Sequence, residues 1–184
     1  LGVPYQVIGG ARFYERMEIR DAIAYLRVIY QPDDDLALER IINKPKRGIG
    51  LASLQSIHQL ARLESISLWL SITKIIETDE LRPAARKNLT MLVNDFTRWR
   101  SMLENTDHIE LTGIVLDESG YTEMLLKDKS PEAPGRLENL KELISALEEF
   151  DGLSQFLEHI SLVMENAEDD TTEQISLMTL HAAK

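Results

Sequence analysis

From Glu18 onward, apolar residues recur at spacings of three and four in one segment after another, and proline, glycine or a polar cluster closes each segment. Such a chain is restricted to packed amphipathic helices. Ile19, Ala22, Ile23, Leu26, Ile29 and Tyr30 form one face over residues 18–31, ended by Pro32. Asp33, Asp34 and Asp35 then offer N-caps and first-turn charge to a helix carrying Leu36, Leu38, Ile41 and Ile42. The pattern resumes over residues 51–63 with Leu51, Leu54, Ile57, Leu60, Ala61 and Leu63. Ser67 caps a helix through residue 76, anchored in the core by Trp69. Pro83 starts a long helix to about residue 103, with Leu89, Leu92, Val93, Phe96, Trp99 and Leu103 on one side. Within that stripe Trp99 reads as core rather than as a base-stacking ring. Further helices are expected over residues 109–118, 121–127, 136–150 and 153–165, with turns at Gly120, Ser130, Pro131, Pro134, Gly135 and Gly152.

Two stretches break the helical period. Residues 3–10 read as a short strand running into a turn at Gly9 and Gly10, and residues 174–180 alternate like a half-buried strand after a polar loop at 166–173. The expected fold is therefore mainly α, a multi-helix body inserted into a sheet-bearing α/β host, with the end strands side by side. The open edges of such strands are expected to favour dimerisation.

The one basic, glycine-rich stretch is Asn43-Lys44-Pro45-Lys46-Arg47-Gly48-Ile49-Gly50. Gly48 and Gly50 can take positive φ, Ile49 points to the core, and the unpaired first-turn N–H groups of the next helix open onto the turn. That end attracts anions, and Lys44, Lys46 and Arg47 add charge with no acidic residue between Arg40 and Gly50. An ordinary helix connection with solvated lysines is the alternative. The net charge of −11 argues against nucleic acid until its distribution is counted. Residues 1–62 hold nine Lys/Arg and seven Asp/Glu, whereas residues 63–184 hold eleven and twenty-four. A DNA face is expected only in the first third.

The chain has no cysteine, which excludes disulfides, thiolate zinc sites and cysteine nucleophiles and suits a reducing cytoplasm, the localisation expected here. No apolar run approaches membrane-spanning length. There is no Gly-x-x-x-x-Gly-Lys-[Ser/Thr] loop, and His58, His108, His159 and His181 show no metal-ligand spacing. No catalytic constellation and no metal site is expected; the acidic triplet at 33–35 reads as capping.

Three stretches carry a resemblance. Residues 5–21, Tyr-Gln-Val-Ile-Gly-Gly-Ala-Arg-Phe-Tyr-Glu-Arg-Met-Glu-Ile-Arg-Asp, with Ala24-Tyr25-Leu26-Arg27 and Pro32-Asp33-Asp34-Asp35 behind them, closely resemble the region after motif IV of UvrD/Rep/PcrA-type superfamily 1 DNA helicases. Arg20 stands where that family usually has lysine. Lys46-Arg47-Gly48-Ile49-Gly50 resembles the Gly-Ile-Gly element of the family's subdomain 2B, and residues 177–184 resemble the opening of motif V. The resemblance implies a helical subdomain 2B over residues 22–170, with pieces of the RecA-like subdomain 2A at 1–21 and 171–184. It implies that Gly48, Ile49 and Gly50 sit against a duplex phosphate with Lys44, Lys46 and Arg47 assisting. It also implies that Arg12, Thr179 and His181 face single-stranded DNA in the assembled motor. The parent would be an ATP-dependent 3'-5' DNA helicase of repair or replication, using ATP and Mg2+ held outside this chain, with the other helicase subdomains and repair proteins as partners. The competing expectation is an acidic helical protein-interaction module, regulating the helicase, in which the glycine turn is structural.

Overall fold

The computed structural model describes residues 5–7, 10–168 and 175–177, with side chains over residues 12–165. In chain order the elements are β1 (Tyr5–Val7), α1 (Gly10–Glu15), α2 (Met17–Tyr30), α3 (Asp35–Ile41), α4 (Leu51–Glu64) and α5 (Leu68–Ile75). They continue as α6 (Pro83–Met102), α7 (His108–Glu118), α8 (Tyr121–Lys127), α9 (Ala133–Leu147), α10 (Leu153–Glu168) and β2 (Ile175–Leu177).

The helix starts follow the capping chemistry written in the sequence. Asp34 accepts from the Ala37 N–H, Ser67 from Leu70, and Asp107 from Ile109 and Glu110. Asp35 reaches across the fold: its Oδ1 accepts from the Leu68 N–H at 2.8 Å and ties the start of α3 to the start of α5.

Helix α2 is the spine. Residues 18, 19, 21–26, 28 and 29 are all buried, so it is covered over most of its circumference, with Met17, Arg20 and Tyr30 left exposed, and α1, α3, α6, α7, α9 and α10 pack against it. Aromatics make up only 6% of the chain, but several meet at one point on this spine. The Phe96 ring stacks parallel on Tyr25 with centroids 5.8 Å apart, Trp99 and Trp69 meet Phe96 edge-on, and Tyr121 meets Tyr25 edge-on. Arg100 of α6 lies over the Trp69 ring and donates to the carbonyls of Val28 and Ile29, closing the C-terminus of α2.

The helices fall near their expected places, with four corrections. Gly10 opens α1 rather than closing a turn; residues 8 and 9 lie outside the described residues. Helix α9 begins at Ala133 and takes Pro134 and Gly135 into its first turn, where proline lacks only an N–H that would be unpaired anyway. Helix α10 runs through Ala167 to Glu168, residues of good helix propensity, past the expected loop start. Leu51 and Leu63, counted in the α4 stripe, are 72% and 75% exposed, because only Ser53 and Ile57 of that helix are buried. At the chain ends, β1 and β2 pair in parallel, Tyr5 opposite Ile175 and Val7 opposite Leu177. The rest of the expected strand residues lie outside the described residues.

Phe96 sits at the centre of the aromatic cluster with no exposure. Phe96→Ala is expected to destabilise the fold by about 3–5 kcal/mol. Leu63→Ser should change stability by less than about 0.5 kcal/mol, both read by urea unfolding.

Candidate nucleic-acid interface

The segment between α3 and α4 is built by its own residues. The Asn43 side chain brackets it: Oδ1 accepts from the Arg47 N–H at 2.8 Å and Nδ2 donates to the Ile49 carbonyl at 3.0 Å. Gly48 occupies the left-handed region at φ +66°, and Ile49, 2% exposed, plugs into the core. From α6, Asn88 Nδ2 donates to the Arg47 carbonyl at 2.6 Å. Gly50 is the N-cap of α4, in extended backbone at φ −78° and ψ 167°, with no side chain capping the first turn. Positive φ is thus required of Gly48 alone, not of both glycines. A Cβ on Gly50 would meet nothing within 4 Å among the described residues.

The three cations of the segment face different ways. Lys46 is exposed and makes no ion pair or hydrogen bond among the described residues. Lys44 turns inward, its ammonium 3.2 Å from both carboxylate oxygens of Asp21. Arg47 turns inward too. Its Nη1 donates to the carbonyls of Ile41, Ile42 and Pro45, and its Nη2 to the Tyr25 hydroxyl and, at 3.5 Å, to the Ser119 carbonyl. The guanidinium therefore closes the C-terminal carbonyls of α3 rather than reaching solvent.

Behind the turn sits a polar cluster that the sequence pattern did not single out. Asp21, 1% exposed, takes the Tyr121 hydroxyl at 2.9 Å, the Lys44 ammonium, and Arg40 in ion-pair contact at 2.6 Å from Nε, without the alignment of a hydrogen bond. One helical turn on, the Tyr25 hydroxyl donates to the Lys44 carbonyl at 2.5 Å. Asp21 and Tyr25 thus present adjacent positions of α2 to the turn. Their four-residue spacing was visible; their partners, up to 100 residues away, were not.

Of the other expected site residues, Arg12 is exposed in the last turn of α1, while Thr179 and His181 lie outside the described residues. His58 Nε2 lies 3.0 Å from Glu39, and His108 Nε2 contacts the Leu147 carbonyl at 3.0 Å. Among the described residues no group of three or more His, Asp or Glu stands ready to hold a metal, and no helix is long and apolar enough to cross a membrane.

The described residues make a helical body with an exposed glycine turn at the N-terminus of α4, and comparison with known proteins gives the family. The chain belongs to the UvrD-like helicase C-terminal domain family, whose model matches residues 1–184. It is 45% identical over 184 residues to the probable DNA helicase II homolog of Rickettsia felis, an alignment covering 99% of this chain and 28% of the relative. It is 36% identical over 198 residues to the ATP-dependent DNA helicase PcrA of Bacillus subtilis, covering 100% of this chain and 26% of the relative. These are helicases of the UvrD/PcrA type that the sequence motifs resemble, and the chain spans about a quarter of their length.

Burial raises the hydroxyl pKa of both Tyr121 and Tyr25; the Asp21 charge adds to the shift at Tyr121, while Arg47 opposes it at Tyr25. Phenols held neutral in the fold stabilise it fully below the unfolded tyrosine pKa of about 10, and that contribution is lost as pH rises beyond it. Thermal midpoints recorded from about pH 8 to about pH 11 are expected to fall more steeply for the native chain than for Tyr121→Phe.

Proposed function

We propose that residues 22–170 form the duplex-DNA-binding and regulatory 2B-type subdomain of an ATP-dependent 3'-5' DNA helicase. Residues 1–21 and 171–184 are then edge pieces of a RecA-like 2A host, a reading supported by the parallel pairing of β1 with β2. The observation that carries the DNA-binding assignment is Gly50. It caps α4 in a conformation any residue adopts, and a side chain there would meet open space. The fold does not demand glycine at that position, whereas a phosphate approaching the uncapped N–H groups of α4 does.

A phosphate seated there meets the first-turn amides of α4, the exposed backbone at Gly48 and the ammonium of Lys46. Ile49 fixes the turn from beneath. Lys44 and Arg47 assist by holding the turn's shape, since their charged groups face inward. Amides and a lysine read no base, so binding is sequence-independent and falls with salt. Arg12, Thr179 and His181 are assigned to the single strand in the assembled parent. The junction between single strand and duplex is the DNA partner, and the other helicase subdomains are protein partners. ATP and Mg2+ are assigned to parts of the parent other than this chain, because no phosphate-binding Gly-x-x-x-x-Gly-Lys loop occurs in it. No step through the nucleotide is assigned to residues here.

The test is fluorescence anisotropy of a labelled duplex with a single-stranded tail, at low and moderate salt. Lys46→Ala is expected to weaken binding and reduce the log–log salt slope by about 1. Gly50→Asp places a carboxylate at the N-cap, which should hold or raise the thermal midpoint while abolishing duplex binding. Unchanged affinity in Gly50→Asp would overturn the assignment and favour the acidic protein-interaction reading.

A further inference from the structure

We propose that Asp21 is a positioning residue for duplex binding: its buried carboxylate sets the shape of the phosphate-facing turn from behind, although it touches no DNA. The inference rests on the reading of that turn as the phosphate site and names the device that keeps it in register.

The geometry is specific. Oδ1 and Oδ2 of Asp21 both lie 3.2 Å from the Lys44 ammonium, Oδ2 also accepts from Tyr121, and Oδ1 contacts Arg40. One carboxylate therefore joins the end of α3, the entry of the turn and the start of α8 to the spine helix. The Tyr25 hydroxyl, one helical turn along, holds the Lys44 carbonyl and receives the Arg47 guanidinium. Both ends of residues 44–47 are thereby fixed to α2, and Asn88 holds the Arg47 carbonyl from α6. What remains outward is Lys46 and the backbone on either side of Ile49.

Charge alone and positioning predict opposite signs. If Asp21 acted only as a negative charge near the site, neutralising it would make the turn more positive and tighten duplex binding. If it positions the turn, neutralising it leaves Arg40 and Lys44 converging without a counter-charge, and the entry of the turn loses its anchor. Binding then weakens.

The experiment measures duplex affinity for Asp21→Asn and Tyr121→Phe beside the native chain, at a temperature where all are folded by circular dichroism. Amide resonances of Gly48 and Gly50 are followed by 1H–15N NMR. Asp21→Asn is expected to bind about tenfold more weakly, the scale of one well-placed hydrogen bond to an ion. Tyr121→Phe changes no charge, and is expected to weaken binding severalfold while moving the same glycine resonances. It carries the test alone should Asp21→Asn fail to fold. Equal or tighter binding by Asp21→Asn, or unchanged binding and unmoved resonances in Tyr121→Phe, overturns the proposal. If this happens while Gly50→Asp still abolishes binding, the positioning role fails and the phosphate site stands. If Gly50→Asp leaves binding intact, both fall.

Discussion

A carboxylate with 1% exposure needs hydrogen-bond and ion-pair partners to sit in an apolar interior, and the arrangement around Asp21 supplies them. Its partners come from separate parts of the chain: Arg40 from α3, Lys44 from the turn, Tyr121 from α8. Breaking one member of such a buried cluster typically costs about 3–5 kcal/mol, because the remaining charge is left without a partner. The cluster sits next to the ring stack of Tyr25 and Phe96, so polar and apolar halves of the core share the same helix face. Packing brings α2, α6 and α8 together; the ion cluster decides how the turn is seated on them.

That seating divides the basic segment into an inner and an outer side. In sequence, Lys44, Lys46 and Arg47 look equivalent. In the fold, two of them satisfy buried acceptors and one is left for solvent. The outward potential is correspondingly modest: the unpaired Lys46 ammonium and the partial charges of the α4 amides, about half an elementary charge, while the part-exposed Lys44 is offset by its pairing with Asp21. The acidic surplus of residues 63–184 does not cancel it wherever those carboxylates lie beyond a screening length of about 8 Å. The surface that the proposed phosphate site offers is thus local and shape-dependent, so under that proposal the geometry of the turn matters more than its charge count.

Much of the fold was legible in the sequence because its information is local. The three-and-four spacing placed α2 to α8, Ser67 and Asp34 marked helix starts, the burial of Trp99 followed from its place in an apolar stripe, and that of Ile49 from its place between two turn glycines. The orientation of Arg47 was not legible, since it depends on the carbonyls of α3, the hydroxyl of Tyr25 and a carbonyl 72 residues away. Nor could the pattern reveal Asp21 as buried: acidic residues in an amphipathic helix normally face water, and only the covering of α2 over most of its circumference makes this one an exception. The start of α9 was misread because Pro134 and Gly135 are turn residues in most settings, yet proline suits a first helical turn equally well.

The two glycines of the turn show why a motif must be resolved into its separate physical demands. Gly48 is imposed from within. At φ +66°, any side chain but glycine carries a steric penalty of about 1–2 kcal/mol, and the chain would need that bend even if nothing ever bound there. Gly50 has ordinary backbone angles and no neighbour, and among helix N-caps glycine is outranked by aspartate, asparagine and serine. By the criterion of stability it is a suboptimal residue at the start of a helix with only two buried side chains, Ser53 and Ile57. A helix so lightly packed would gain from a capping side chain. Among the described residues no side chain caps it, so its first-turn amides gain nothing for the folded chain alone and stand open to the anion proposed to seat there.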